Sequence, residues 1–110
     1  MNILITCKLK NEVMTSTLIK KVATKFSLSE SQLVERGLKA FLQEQLYVFD
    51  AELRTIFARH AVRSLQEFDR LMTEQPHNES NLLPDFQRAD YLTTRIAEIA
   101  AWIKVLNGHG

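Results

Sequence analysis

Turn-forming residues are scarce in this chain, which holds three glycines and two prolines among its 110 residues. An average chain carries about 12% of these two residue types together. All-β sandwiches and glycine-rich nucleotide-binding folds need more frequent turns, so both classes are disfavoured. The composition therefore predicts a mainly α-helical protein, and the length fits one compact domain overall.

The first apolar segment, residues 3–9, reads ILITCKL and has the period of a β-strand. One face of such a strand would carry Ile3, Ile5, Cys7 and Leu9. Such an alternation predicts a short, half-buried strand. No second alternating run exists to pair with it, and an unpaired strand leaves backbone donors and acceptors unsatisfied. We therefore expect this strand to pair with a second copy of the chain or to stay loose.

Apolar stripes at helical spacing follow the predicted strand. They predict helices near residues 15–26, 30–60, 64–74 and 85–106. Thr15 or Ser16 is expected to cap the first of these helices. The fold class is therefore mainly α, a helical hairpin or bundle of about four helices with one short N-terminal β-strand.

Two capping boxes and one proline set the expected helix starts. Ser29 with Gln32, and Ser64 with Glu67, have the spacing at which a serine oxygen and the later side chain exchange hydrogen bonds with each other's backbone N–H. Pro84 suits the first turn of the last helix, where its missing N–H costs nothing. Residues 75–84 are accordingly predicted to form a loop.

The second and fourth predicted helices share a 4-3-4-3 rhythm of apolar residues. The two stripes are Leu42, Leu46, Phe49, Leu53 and Ile56, and Leu92, Ile96, Ile99, Ile103 and Leu106. This spacing resembles that of a coiled coil, so we expect the two helices to lie together.

No motif in the sequence indicates catalysis or metal binding. The three histidines, His60, His77 and His109, lack metal-ligand spacing, and no nucleotide-binding or nucleophile motif occurs. A single cysteine, Cys7, allows neither an internal disulfide nor a cysteine-rich metal site. We therefore predict no enzyme activity, no catalytic residues, no metal and no cofactor.

The location follows from similar arguments. A lone cysteine fits a reducing compartment. The N-terminus lacks the pattern of a secretory signal, and no apolar run approaches the ~18 residues that a membrane-spanning helix needs. We expect a cytoplasmic protein that does not contact a membrane.

Charged residues are unevenly distributed, although the net charge is only +1. Residues 1–25 hold five lysines and one glutamate, a net charge of +4, whereas residues 61–110 hold five basic and seven acidic residues, a net charge of −2. This asymmetry indicates either two different partners or an ordinary solvated surface.

An alternating strand, a helix ending in VATKFSLSES and then QLVERGLKAFLQEQ resemble the ribbon-helix-helix family of bacterial and archaeal DNA-binding proteins. The likeness is best over residues 22–45. It implies a homodimer in which two strands from two chains form a ribbon that enters the major groove of double-stranded DNA. The start of the second helix would then offer backbone N–H groups to a phosphate.

The resemblance also implies which residues form each site. The expected DNA contacts are Thr6, Lys8, Lys10, Ser29 and Ser31. The expected dimer interface consists of Ile3, Ile5, Leu9 and Leu38. Ser29 and Ser31 need only belong to a helix cap, so the DNA-binding role and the cap-only role both remain open.

The rest of the chain is similar to small helical prokaryotic proteins that are often proposed as antitoxins. Residues 1–45 would then form a ribbon-helix-helix-like segment and residues 46–110 a helical extension that covers a toxin. Two functions remain open. The first is an antitoxin-like DNA-binding regulator that dimerises and neutralises a toxin, and the second is an all-helical oligomerisation or adaptor protein with no DNA role.

Overall fold

The computed structural model describes the backbone of residues 3–108 and the side chains of residues 11–108. Its helices are α1 (Ile3–Lys25), α2 (Glu30–Arg59), α3 (Leu65–Glu74) and α4 (Glu79–Asn107), with a 3₁₀ turn at Pro76–Asn78. The prediction of a mainly α protein with four helices is confirmed. The chain divides into two units, and unit 1 ends at Lys39 where unit 2 begins at Ala40.

The predicted N-terminal strand is wrong, because α1 begins at Ile3 and the described backbone contains no strand. A short apolar run can fit both periods, and no glycine or proline occurs before Gly37 to interrupt a helix. Thr15, expected as a cap, instead lies within the helix and donates its hydroxyl to the Asn11 carbonyl at 2.9 Å. Residues 3–10 are therefore the first turns of α1.

Helices α1 and α2 both end in a Schellman motif, at Ser27 and Ala61. Their φ angles of 57° and 54° lie in the left-handed region. The hydrogen bonds of the two motifs are Leu28 N–H to Ala23 O at 2.8 Å and Val62 N–H to Phe57 O at 3.0 Å. These bonds satisfy carbonyls that a helix end otherwise leaves without a donor.

The capping box predicted at the start of α2 is complete, and the serine half of the one predicted at the start of α3 is present. Ser29 N–H donates to Gln32 Oε1 at 2.9 Å, and Gln32 N–H donates back to Ser29 Oγ at 3.0 Å. Glu67 N–H likewise donates to Ser64 Oγ at 3.1 Å. The Glu67 carboxylate, however, accepts from the Arg63 N–H at 2.6 Å, one residue before the cap.

Helix α4 begins six residues earlier than expected. The predicted 75–84 loop is reduced to the 3₁₀ turn, and Pro84 lies inside the helix rather than in its first turn. The Asn81 amide donates to Asn78 Oδ1 at 2.8 Å across the helix start. Helix α4 continues through Pro84, although proline has no backbone N–H to donate to the carbonyl one turn earlier.

The core of unit 2 joins the C-terminal half of α2 to α3 and to the first half of α4. Its buried residues are Ile56, Phe68, Leu82, Ala89 and Leu92. The Phe68 ring lies 5.5 Å from the Phe86 ring in an edge-to-face arrangement. Unit 1 differs sharply, because Ala23 is its one buried residue among the described side chains.

Candidate protein-interaction surface

Ion pairs show that α2 and α4 run antiparallel in unit 2. Arg88 Nη2 donates to Glu52 Oε1 at 2.9 Å. Farther along α2, His60 Nε2 lies 2.8 Å from Asp85 Oδ2, and Arg59 contacts the same oxygen at 2.7 Å. Residue numbers therefore rise along α2 as they fall along α4, which is the antiparallel direction.

These ion pairs also change the acidity of the carboxyl groups. The hydrogen bond from Arg88 lowers the pKa of Glu52, against a smaller opposing effect of desolvation. The hydrogen bond from His60 is the largest cause that lowers the pKa of Asp85, and Arg59 adds to it. Both carboxylates are thus stabilised in their charged form by the α2–α4 contact.

The predicted apolar stripes face each other across this pair of helices. Leu42 of α2 and Ile99 of α4 belong to these two stripes. Their exposed fractions are only 7% and 3%. The expectation that these two helices lie together is confirmed by the ion pairs and by the shared core.

Each helix carries a second stripe one residue before the buried one. In α2 this stripe contains Phe41, Gln45 and Val48, and in α4 it contains Tyr91, Arg95, Glu98, Trp102 and Val105. The five apolar or aromatic members are between 43% and 60% exposed. Large apolar side chains are therefore left in solvent at the same helical period that builds the core.

The two exposed stripes lie on the same side of the helix pair. One residue back along a helix is a rotation of about 100° in a fixed sense. Antiparallel helices are related by a two-fold axis perpendicular to the pair, so equal rotations bring both stripes to one side. We call this surface the lateral face; it consists of Phe41, Gln45, Val48, Tyr91, Arg95, Glu98, Trp102 and Val105.

Helix α3 covers the opposite side of the same pair. Phe57 and Phe86, which lie one residue after the α2–α4 contact positions Ile56 and Asp85, pack against the core that contains Phe68 of α3. A step forward rotates in the opposite sense to a step back. The lateral face therefore points away from α3, and no described element of unit 2 is placed to cover it.

Polar contacts order part of the lateral face. Arg95 Nη1 donates to Glu98 Oε2 at 2.7 Å. The guanidinium groups of Arg88 and Arg95 lie 5.1 and 5.2 Å from the centre of the Tyr91 ring, within the range of a cation–π contact. The charged groups of this face therefore form a neutral pair that holds the aromatic ring in place.

Residues 14–110 match the family described as the Uncharacterized protein MJ0235 family. The chain belongs to this family. Comparison with curated proteins and with solved structures found no match. The resemblance to ribbon-helix-helix proteins is wrong, because the family that matches is a different one and α1 replaces the strand that the resemblance requires.

The residues predicted to contact DNA and to form the dimer interface do not lie on a β-ribbon in the described backbone. The backbone of Ile3, Ile5, Thr6, Lys8, Leu9 and Lys10 is helical, and their side chains lie outside the described residues. Ser29 is the N-cap of α2, and Ser31 is exposed in its first turn. Leu38 is 46% exposed in unit 1 of this MJ0235-family chain.

Sequence reasoning missed most of the lateral face. Its apolar members lie outside the two apolar stripes that the sequence predicts; they are Phe41, Val48, Tyr91, Trp102 and Val105. The signal is present in the sequence as a second 4-3 rhythm, since residues 91, 95, 98, 102 and 105 run one place ahead of the buried stripe. Because Arg95 and Glu98 occupy two of these five positions, the pattern of apolar residues alone does not indicate this second stripe.

The described residues contain no group of three or more histidine, cysteine, aspartate or glutamate side chains able to hold a metal ion. Within the same part of the chain, no helix combines the length and the apolar character that a bilayer crossing requires.

Proposed function

We propose that the protein is an all-helical oligomerisation module with no DNA role and no catalytic activity, and that its lateral face binds a second copy of the chain. The observation that carries this proposal is the exposed second stripe on both α2 and α4. A helix with one neighbour needs one apolar stripe, whereas a helix in a four-helix bundle contacts two neighbours and needs a wider face. Two such helix pairs, packed face to face, complete a four-helix bundle.

The available area agrees with a dimer of modest size. An aromatic side chain buries about 150–250 Å² in full, so the half-exposed Phe41, Tyr91 and Trp102 offer roughly 300 Å² together. Val48 and Val105 add to this apolar centre, and the polar residues beside them form a rim. Specific interfaces bury about 800 Å² on each partner, so the apolar centre supplies only part of that area and the polar rim must supply the rest.

The charges of the lateral face also favour a second copy. Arg95 and Glu98 give the face one positive and one negative group. In a two-fold dimer the same patch meets itself, so a neutral patch brings no net repulsion. A strongly charged partner such as DNA would gain little from this surface, since phosphate binding depends on an excess of lysine and arginine.

The single tryptophan of the chain provides a direct test, because Trp102 lies on the lateral face. We expect sedimentation to show a dimer at micromolar concentration, and dilution to shift the Trp102 emission to longer wavelength as the dimer separates. Val48→Arg places a charge in the interface and should yield a monomer. Tyr47→Arg is the matched control, because Tyr47 is the adjacent residue, 78% exposed and off this face.

Two results would contradict the proposal. One is a wild-type protein that stays monomeric at roughly 100 µM, a concentration at which a micromolar dimer is nearly fully formed. The other is a dimer that Val48→Arg leaves intact while circular dichroism shows unchanged helix content.

The hypothesis of a DNA-binding regulator required contacts from a two-stranded β-ribbon, and α1 occupies the segment that was to form its strand. A toxin partner and a cytoplasmic location stay predictions, and neither conflicts with a dimer formed through the lateral face. Gel-shift titration of the purified dimer against duplex DNA checks the absence of a DNA role, for which we expect only weak, salt-sensitive and sequence-independent binding.

A further inference from the structure

The outward face of α1, in unit 1, is apolar where a helix surface is normally polar. Ala23 is 2% exposed and marks the inward side of the helix. Met14 and Leu18 lie on the other side and are 60–62% exposed. With Thr17 and Lys21 they line an open groove of about 580 Å³. This placement is unfavourable unless another molecule covers the groove.

Basic residues continue the same stripe toward the end of α1. Met14, Leu18, Lys21 and Lys25 follow one another at spacings of four, three and four residues, so they form a single line along the helix. The line is apolar in its first half and basic in its second half. Its length from Met14 to Lys25 is about 16 Å at a rise of 1.5 Å per residue, or three turns of a partner helix.

Lys20, Lys21 and Lys25 of α1 form no ion pair with the carboxylates of the described residues. The ion pairs found there are formed by Arg54, Arg59, His60, Arg88 and Arg95, all in unit 2. Unit 1 has seven basic and three acidic residues, a net charge of +4, whereas unit 2 has seven basic and ten acidic residues, a net charge of −3. Unit 1 therefore presents an unneutralised positive surface beside its apolar groove.

We propose that this face of α1, which we call the docking stripe, binds a helix of a partner protein. The docking stripe consists of Met14, Leu18, Lys21 and Lys25. The partner helix carries two apolar residues and then two carboxylates in the same 4-3-4 rhythm, aligned so that its apolar residues cover Met14 and Leu18. Its carboxylates then pair with Lys21 and Lys25 at the edge of a desolvated contact, where ion pairs are stronger than in open solvent.

The order of residues along the helix favours a protein over other anionic partners. A helix that lies on an anionic membrane has an apolar strip along its whole length with basic residues flanking it. Here the apolar and basic parts follow one another along the axis, so the helix cannot bury one part without also burying the other. Duplex DNA would pair with Lys21 and Lys25 but would leave Met14 and Leu18 against phosphates.

Two synthetic peptides test the proposal with the full chain. Each is a helix-forming peptide of about 20 residues, long enough to hold helical structure. One carries Leu, Leu, Glu and Glu at the 4-3-4 positions, and the other carries Leu, Leu, Lys and Lys. Fluorescence anisotropy should show that the protein binds the acidic peptide about tenfold more tightly than the basic one, because the acidic peptide forms two ion pairs where the basic one brings like charges together.

Charge reversal on the protein should reverse this preference. The double variant Lys21→Glu/Lys25→Glu should bind the basic peptide more tightly than the acidic one. Arg63→Glu/Arg70→Glu is the matched control, because both arginines are exposed in unit 2 and belong to none of the ion pairs described. This control should keep the wild-type preference. Leu18→Ser should weaken binding of both peptides, since it removes an apolar contact that both use.

Several outcomes would overturn the proposal. Equal binding of the two peptides would show that the face binds apolar residues without regard to charge. No binding at roughly 100 µM would show that the face is not a docking site. Binding to phosphatidylserine vesicles or to duplex DNA, without binding to the acidic peptide, would assign the face to those partners. A loss of self-association in Lys21→Glu/Lys25→Glu would assign it to a second copy.

Discussion

At the scale of single residues, two positions hold a conformation that their side chains disfavour. Ser27 and Ala61 terminate α1 and α2 with positive φ angles, where a Cβ atom crowds the neighbouring carbonyl. A β-carbon in this region costs about 1–2 kcal/mol relative to glycine. The chain therefore ends both helices by hydrogen bonding alone, without the residue that best fits the turn.

Ala61→Gly is expected to raise the free energy of unfolding by about 1 kcal/mol, because removing the Cβ relieves more strain than the extra freedom of the unfolded chain offsets. Urea unfolding followed by circular dichroism measures the change. Ala58→Gly, three residues earlier and helical, should instead lower stability by roughly 0.5–1 kcal/mol. If both substitutions destabilise the protein, Ala61 is not strained.

The cap of α2 leads to an opposite expectation. Ser29→Ala removes the oxygen that accepts from the Gln32 N–H and should lower stability by about 1 kcal/mol. Ser31→Ala, inside the first turn, should be neutral or slightly stabilising because alanine has the higher helix propensity. Thermal melts of the two variants check this difference. Equal melting temperatures would mean that the cap contributes nothing measurable.

At the scale of helices, the sequence predicts boundaries well only where a side chain forms the boundary itself. The Ser29 and Ser64 caps place the starts of α2 and α3 correctly, since their hydrogen bonds are local. The start of α1 could not be predicted, because residues 3–9 fit both a strand and a helix. The lateral face was also hidden, because it requires knowing that α2 and α4 are antiparallel.

Pro84 shows how a local rule can mislead. Proline is tolerated best in the first turn, yet here it lies in the second turn of α4. Pro84→Ala should therefore stabilise the protein by about 1–3 kcal/mol, since it restores a backbone N–H within a helix. Differential scanning calorimetry should record a higher melting temperature. A lower melting temperature would show that the proline ring makes contacts worth more than the lost hydrogen bond.

At the scale of the whole molecule, the two units are stabilised in different ways. Unit 2 has a core shared by three helices and ion pairs that join α2 to α4. Unit 1 buries Ala23 alone among its described side chains. The packing of unit 1 on itself therefore contributes little to its stability, and we expect that stability to increase when a partner binds.

Acid should destabilise unit 2 through Asp85 and Glu52. Because the folded state lowers the pKa of both groups, their stabilisation is complete above the unfolded values of about 3.9 and 4.3 and is lost as pH falls below them. Asp85→Asn should be less stable than wild type at pH 7, and its stability should fall less between pH 5 and pH 3. Urea unfolding across this range measures both effects.

Asp69→Asn is the control for this acid response, because Asp69 is exposed on α3 and has no ion pair among those described. It should keep the wild-type dependence of stability on pH. A parallel loss of stability in wild type and Asp85→Asn would mean that Asp85 has no part in the acid response.

Among the described residues, the ion pairs of unit 2 use arginine but no lysine. Six of the seven lysines of the chain, by contrast, belong to unit 1. Acetylation neutralises a lysine and does not react with a guanidinium group in the same way. An acylating reagent, or a lysine acetyltransferase, can therefore erase the positive charge of unit 1 while the cations that join α2 to α4 keep theirs.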